Sequence, residues 1–169
     1  MGIVRCTKKL LNELKIKPTY DIVQSAGIGN WHANLIWIDR RKCVLFTNDQ
    51  TLFTFLVPGM KKPQFTNFDE IFRLNLFTNL SNENLPQKHI EYVFNEHRET
   101  LITKTNNRSV LASMNEFAYQ ARWLIYDMGG LTNINPTLLN RELNRIPMGA
   151  IKYNSGIEEL HKALNQIDT

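Results

Sequence analysis

Two cations lie among amide and hydroxyl groups where a predicted strand meets a predicted helix. The segment is Lys104-Thr105-Asn106-Asn107-Arg108-Ser109. The first turn of a helix presents unpaired backbone N–H groups and a partial positive charge, so Lys104 and Arg108 beside it favour a bound phosphate or carboxylate. Asn107 or Ser109 would also serve as a helix cap, with Asn106 in a tight turn. The pattern therefore predicts either an anion site or an ordinary capped helix.

A second set of polar residues comes from the predicted strands. Asn48 and Asn106 each follow the end of a β-rich run, and if those strands are neighbours the two amides meet His32 and Asn34 on one patch. Amide side chains donate and accept hydrogen bonds, which suits ligand recognition better than proton transfer. We therefore expect a ligand-binding patch. Its members are Trp31, His32, Asn34, Asn48, Lys104, Asn106, Asn107, Arg108 and Ser109.

An enzymatic alternative uses His32 with Asp49 and Arg108, as in a small hydrolase or nuclease. His32 has no nucleophile beside it in the sequence, and Asp49 is the carboxylate that the sequence offers to orient its ring. A hydrogen-bonded histidine within a sheet explains the same residue without catalysis. Whether the protein is an enzyme stays open, and no catalytic residue is assigned. A separation of His32 from both partners by more than about 10 Å would remove the catalytic set.

Metal and thiol chemistry find little support in the sequence. His89 and His97 are eight residues apart, whereas histidine pairs that bind a metal on a helix sit about four apart. We interpret both as surface or core-edge residues. Cys6 and Cys43 lack C-x-x-C spacing, which predicts buried, reduced thiols. We therefore expect no metal site and no cofactor.

The elements that must position these residues begin with a sheet. Alternating apolar residues and turn signals predict a short strand, a helix and then a meander of antiparallel strands. Their bounds are Ile3–Cys6, Thr7–Leu14, Trp31–Ile38, Lys42–Thr47 and Thr51–Val57. In the first meander strand Trp31 and Ala33 alternate with His32 and Asn34, so both faces of the sheet are expected to be at least partly covered.

The second half of the chain is mainly helical. Apolar residues at helical spacing predict a helix from Phe68 to Leu80, one led by Pro86, one from Val110 to Met128, one from Asn135-Pro136 to Leu143, and one capped by Ser155. Two further strands are predicted at Thr100–Thr105 and Ala150–Tyr153. The fold class is therefore α+β, a small and mainly antiparallel sheet packed by helices from the C-terminal half. We expect a single domain over residues 1–169.

Composition narrows the class of protein. The chain has 169 residues, of which 43% are hydrophobic, and a net charge of +4, as in a folded domain. Apolar runs stay far below the roughly 18 residues that span a membrane. Charged residues near the N-terminus interrupt any signal-peptide core, which predicts a cytoplasmic location and no membrane partner.

The charge is unevenly distributed along the chain. Residues 1–63 carry ten Lys or Arg against four Asp or Glu, and residues 64–169 carry ten against twelve, so the net charges are +6 and −2. The basic side chains of interest are Lys8, Lys9, Lys15, Lys17, Arg40, Arg41, Lys42, Lys61 and Lys62. Basic side chains scattered over the solvent-exposed surface would explain this excess, whereas their convergence on one face would indicate a nucleic-acid surface.

Three stretches carry a resemblance to known sequences. They are Trp31-His32-Ala33-Asn34, the segment from Cys43 to Leu52, and the segment from Lys104 to Ala118. The most specific feature is Thr105-Asn106-Asn107-Arg108-Ser109 followed by Ser113-Met114-Asn115. These stretches resemble a family of small, uncharacterised bacterial proteins, a domain of unknown function. The resemblance implies a coherent fold unit and brings no activity, substrate or catalytic residue.

These observations favour a non-enzymatic binding or interaction module in the bacterial cytoplasm, with an anionic ligand or a protein as its partner. Nucleic-acid binding through residues 1–63 is the first alternative, and a small hydrolase or nuclease is the second. An affinity that falls steeply with salt would support the first alternative, because phosphate contacts release counterions.

Overall fold

The computed structural model describes residues 1–18 and 24–168. Five strands lie in these ranges: β1 Gly2–Cys6, β2 Asn30–Ile38, β3 Arg41–Asn48, β4 Thr54–Val57 and β5 Thr100–Lys104. The α-helices there are α1 Lys8–Leu14, α2 Lys62–Thr66, α3 Phe68–Asn82, α4 Gln87–Glu96, α5 Arg108–Asp127, α6 Pro136–Leu143 and α7 Gly156–Ile167. Short 3-10 helices cover Gly27–Gly29, Leu131–Asn133 and Gly149–Ile151.

The five strands form one sheet in the order β4-β3-β2-β1-β5. β2, β3 and β4 are joined as an antiparallel meander, whereas β1 runs parallel to both of its neighbours, β2 and β5. The predicted α+β fold, with this meander in the N-terminal half and helices after it, is confirmed. The parallel half arises because helical connections return the chain to the same end of the sheet before β2 and β5 begin.

Helices cover both faces of the sheet, as the alternation in β2 predicts. Trp31, Ala33 and Leu35 pack with residues of α1, α2, α3, α4 and α7 on one side, which we call the α3 face. Ile36 and Ile38 pack with α5 and α6 on the other side, which we call the α5 face. Each face therefore has its own apolar core, and β2 contributes to both.

Two predicted elements differ from the structure. The strand expected at Ala150–Tyr153 is wrong, because the chain there forms a 3-10 turn with Lys152 and Tyr153 in the left-handed region. A hydrogen bond of 2.9 Å from the Tyr153 N–H to the Met148 carbonyl closes this turn. The third meander strand begins only at Thr54, after Leu52 adopts a φ of +58°. Ile151 and Tyr153 are residue types that favour extended backbone, and the local turn bonds override that preference here.

The outer edge of the meander is covered by two asparagine side chains of α6 and its C-terminal end. The amide of Asn144 accepts from the Thr54 N–H and donates to the Thr54 carbonyl, both at 2.8 Å. One helical turn earlier, Asn140 makes the same pair of bonds with Leu56, at 2.8 and 3.3 Å. Unpaired edge strands invite pairing with other chains. The two amides therefore satisfy β4 in place of another strand.

We expect Asn144→Ala to lower the free energy of unfolding by roughly 2–4 kcal/mol, since it leaves two buried backbone groups of Thr54 without partners. Urea unfolding followed by circular dichroism measures the change. Asn115→Ala, at an exposed position of α5, is the control and should change stability by less than about 0.5 kcal/mol. Equal effects of the two substitutions would contradict the role given to Asn144.

A buried histidine completes the core of the α3 face. His97 is only 1% exposed, contrary to the surface or core-edge position predicted for it, and His89 is buried as well. The Trp31 indole N–H donates to Nε2 of His97 at 2.8 Å, and Nδ1 of His97 lies 2.6 Å from the Val93 carbonyl, to which it donates. Both ring nitrogens are satisfied only in the neutral form. Burial is the main reason that the pKa of His97 lies below its ordinary value of 6.5.

The stability contributed by His97 should fall as the pH drops below 6.5. The unfolded chain takes up a proton near that ordinary pKa, whereas the folded chain resists protonation until a lower pH, so acid favours unfolding within this window. His97→Gln retains an acceptor for Trp31 and cannot titrate. The difference between urea midpoints at about pH 7 and about pH 5 should therefore be smaller in this variant. A pH dependence equal to that of the parent protein would contradict the assignment.

Candidate functional site

A row of polar side chains crosses the α5 face of the sheet from edge to edge. Strand register aligns Thr103, Arg5, His32, Thr47 and Thr54. All five are at most 2% exposed. Buried polar groups need hydrogen-bond partners, and Thr47 and Thr54 meet this need through a hydroxyl contact of 2.8 Å. The row therefore forms a polar border to the apolar core of this face.

Arg5 places a positive charge in the middle of this row. Its guanidinium donates to Oδ1 of Asn30 at 3.1 Å and lies 3.8 Å from Oδ2 of Asp49. The Arg5 side chain is 3% exposed and that of Asp49 is 17% exposed. An unpaired buried charge is strongly destabilising. Asp49, the first residue after β3, therefore supplies the counter-charge from the rim of the core.

The same carboxylate orients His32. Nδ1 of His32 lies 2.7 Å from Oδ1 of Asp49, and an ionised carboxylate only accepts, so Nδ1 carries the proton. Nε2 then accepts from the backbone N–H of Asn106 at 3.4 Å. These contacts connect β1, β2, the turn after β3 and the connection between β5 and α5. We call Arg5, His32 and Asp49 the buried ionic cluster.

The N-terminus of α5 lies directly beyond this cluster. Asn107 caps the helix, because its side chain accepts from the Val110 N–H at 3.1 Å. Arg108 and Ser109 form the exposed first turn. The capping interpretation of Asn107 is therefore confirmed, and the two residues that follow it face solvent.

The carboxyl ends of β1 and β5 lie side by side, and the helices that follow the two strands lie on opposite faces of the sheet. The two strands are parallel neighbours, with Cys6 opposite Lys104. The chain leaves β1 into α1 on the α3 face, and it leaves β5 into α5 on the opposite face. In open α/β sheets, ligands bind outside the carboxyl ends of neighbouring strands whose helices lie on opposite faces, a position called the switch point. Thr7 follows β1 and donates to Asn34 at 2.8 Å, so Asn34 lies at the same end of the sheet. We call the surface formed by these strand ends, Asn34 and the first turn of α5 the crevice.

The structure separates the nine predicted site residues into two groups. His32, Asn34, Lys104 and Asn106–Ser109 lie in or beside the crevice or the cluster beneath it. Trp31 lies on the α3 face, 2% exposed and within 5.5 Å of Phe72 between ring centroids. Asn48 is opposite Trp31 in the register and is 1% exposed. These last two positions do not reach the crevice.

Asn48 has a structural role instead, because its side chain holds the turn after β3. Its carbonyl oxygen accepts from the N–H groups of Gln50 and Thr51, both at 3.1 Å, and its amide donates to the Ile28 carbonyl at 2.9 Å. The expectation that Asn48 and Asn106 meet is wrong, because β2 and β1 lie between β3 and β5. Its neighbour Asp49 reaches His32 because successive residues point to opposite faces.

Arg5 is the member of the cluster that sequence reasoning missed. The available signal was a lone arginine inside the short apolar strand Ile3–Cys6, where a central strand would bury it. Recognising it requires knowing that β1 has a neighbour on each side, and β5 follows β1 by more than ninety residues. The sequence indicated Asp49 only as a partner for His32.

The thiols are buried as predicted and lie on opposite faces of the sheet. Cys6 packs in the core of the α3 face and Cys43 in that of the α5 face, so the sheet keeps them apart. Burial raises the pKa of both thiols. Within residues 1–18 and 24–168, no set of three or more His, Cys, Asp or Glu side chains is arranged to hold a metal ion. No helix of the same ranges is long and apolar enough to cross a membrane.

Comparison with known proteins assigns the chain to a family. A family model described as a domain of unknown function (DUF6933) matches residues 3–159. The chain therefore belongs to this family, which confirms the resemblance to a domain of unknown function. No curated protein and no solved structure is significantly similar to it.

Asp49→Asn should lower the free energy of unfolding by roughly 2–3 kcal/mol, because the neutral amide leaves the buried charge of Arg5 without a counter-charge. Chemical unfolding gives the value. Asp127→Asn removes an exposed carboxylate at the end of α5 and should change stability by less than about 0.5 kcal/mol. If Asp49→Asn were as harmless as this control, the cluster would not be the electrostatic unit described.

Proposed function

We propose that this protein is a non-enzymatic, cytoplasmic binding module that recognises an anionic group in the crevice outside the carboxyl ends of β1 and β5. The main support for this proposal is the arrangement of β1 and β5 with the helices that follow them. The chain enters α1 and α5 on opposite faces from adjacent parallel strands, and in open α/β sheets ligands bind outside the carboxyl ends of strands arranged in this way.

The chemistry of the crevice favours a phosphate or carboxylate. Arg108 lies in the exposed first turn of α5, where the helix dipole is positive. Ser109 adds a hydroxyl, and Lys104 adds positive potential from the last position of β5. Asn34 borders the crevice with one carbonyl lone pair already used by Thr7. The ligand would be a small anion or a partner protein that presents such a group.

The hydrolase alternative is less well supported by the same geometry. Its distance criterion is met, since His32 and Asp49 are 2.7 Å apart. However, His32 is 0% exposed and its Nε2 faces the Asn106 N–H. A general base needs a ring nitrogen within reach of a substrate proton. The contacts of His32 instead suit a residue that fixes the start of α5.

Titration with inorganic phosphate, followed by amide NMR shifts, tests the proposal. We expect saturable shifts at residues 107–110, because a phosphate at the N-terminus of α5 would accept from the backbone N–H groups of Arg108 and Ser109 beside the Asn107 cap. Arg108→Ala should weaken phosphate binding by roughly tenfold or more, the usual loss for a hydrogen bond to a charged group.

Arg122→Ala is the matched control, since Arg122 is an exposed arginine on the same helix, far from its first turn. It should leave the phosphate affinity unchanged. Equal effects of the two arginine substitutions, or no saturable shift at the start of α5, would refute the anion site. Turnover of a phosphate ester that stops in His32→Gln would favour the hydrolase instead.

A further inference from the structure

The basic residues of the first third converge at one end of the sheet. Six of the nine lie around two adjoining grooves: Lys15, Arg40, Arg41, Lys42, Lys61 and Lys62. The grooves have volumes of about 630 and about 300 Å³, and both are bordered by Lys42, Met60 and Lys61. Three separate segments build this surface, namely the end of α1, the turn between β2 and β3, and the start of α2. We call it the basic groove.

An exposed tryptophan borders the basic groove. Trp37 is 55% exposed, although it occupies the same face of β2 as the buried Trp31. Lys42 is opposite Trp37 in the register, and its ammonium group lies 5.5 Å from the centre of the indole ring. A large aromatic side chain held in solvent beside cations has no role in the core. It is the arrangement used to stack a base between phosphate contacts.

The charge of the groove is strongly positive. Six cations face a single acidic lining residue, Glu13, which forms an ion pair of 2.6 Å with Lys42. Lys42 is therefore partly neutralised, while Lys61, Lys62, Arg40 and Arg41 are exposed. Such a patch raises the local concentration of polyanions.

We propose that the basic groove binds single-stranded nucleic acid, with Trp37 stacking on a base and the lysines and arginines contacting the phosphates on either side. The exposed indole favours this ligand over an acidic peptide, because stacking requires a flat, unpaired base. It also favours a single strand over a duplex, whose bases are already stacked. This site is separate from the phosphate crevice, since Arg108 does not border it.

Fluorescence anisotropy with labelled oligodeoxyuridylate and oligouridylate of about 12 nucleotides tests this proposal. At about 50 mM salt both strands should bind, and the difference between them reports any preference for the 2′-hydroxyl. Trp37→Ala should weaken binding at least fivefold, the effect of losing one stacked base, whereas Trp37→Phe should retain most of it. Trp123→Ala, which removes another half-exposed indole from α5, should have no effect.

The role of the lysines is tested by the dependence of affinity on salt. Replacing Lys61 and Lys62 together by alanine should make the slope of log affinity against log salt shallower by about 1.4, or about 0.7 for each phosphate that is no longer neutralised. The control pair is Arg141→Ala with Lys152→Ala, which removes two exposed cations outside the groove. Circular dichroism spectra establish that each variant is folded.

Three results would overturn the proposal. One is no binding at about 50 mM salt, where phosphate contacts are strong. Another is binding that is equally tight for polyglutamate and for oligonucleotides, which would indicate an acidic protein partner. The third is oligonucleotide binding that is unchanged in Trp37→Ala. Arg108→Ala should leave oligonucleotide affinity unaltered, so failure of this proposal and failure of the phosphate site are distinguishable.

Discussion

Arg5 lies on β1, the strand between β2 and β5. The need to neutralise its buried charge is the constraint on which much of the structure depends. A guanidinium on a residue that is 2% exposed must be neutralised and hydrogen-bonded, or the folded state loses several kcal/mol. Asn30 supplies one acceptor from the start of β2, and Asp49 supplies the counter-charge from the end of β3. Strand register and the turn after β3 are therefore set by an electrostatic requirement as well as by apolar packing.

The contacts of Asp49 link the buried Arg5 to the exposed N-terminus of α5 through His32. Its other oxygen fixes the tautomer of His32, which leaves Nε2 to accept from Asn106 immediately before α5. The cluster thus helps to define where β5 ends and where the exposed first turn of α5 begins. Asn48, one residue earlier, points to the opposite face and closes the turn that delivers Asp49. Adjacent residues of one turn therefore serve both faces of the sheet.

Local patterns predicted much of the fold and part of the site. The long apolar period of α5 and the cap at Asn107 depend on neighbours within one or two turns, so sequence alone reveals them. The alternation in β2 likewise placed His32 and Trp31 on opposite faces. The order of the strands could not be inferred in this way, because β1 pairs with β5 across more than ninety residues that include three other strands. The error over Asn48 and the omission of Arg5 both follow from that missing order.

The parallel arrangement also explains why two surfaces suited to anions lie near each other. β1, β2 and β5 point in the same direction, so the crevice beside Arg108 and the groove beside Trp37 share one end of the sheet. α1 begins at the crevice, after Thr7, and ends at the groove with Lys15. A helix of seven residues spans only about 10 Å. Because Arg108 does not line the groove, the two surfaces are separate sites that share one end of the sheet.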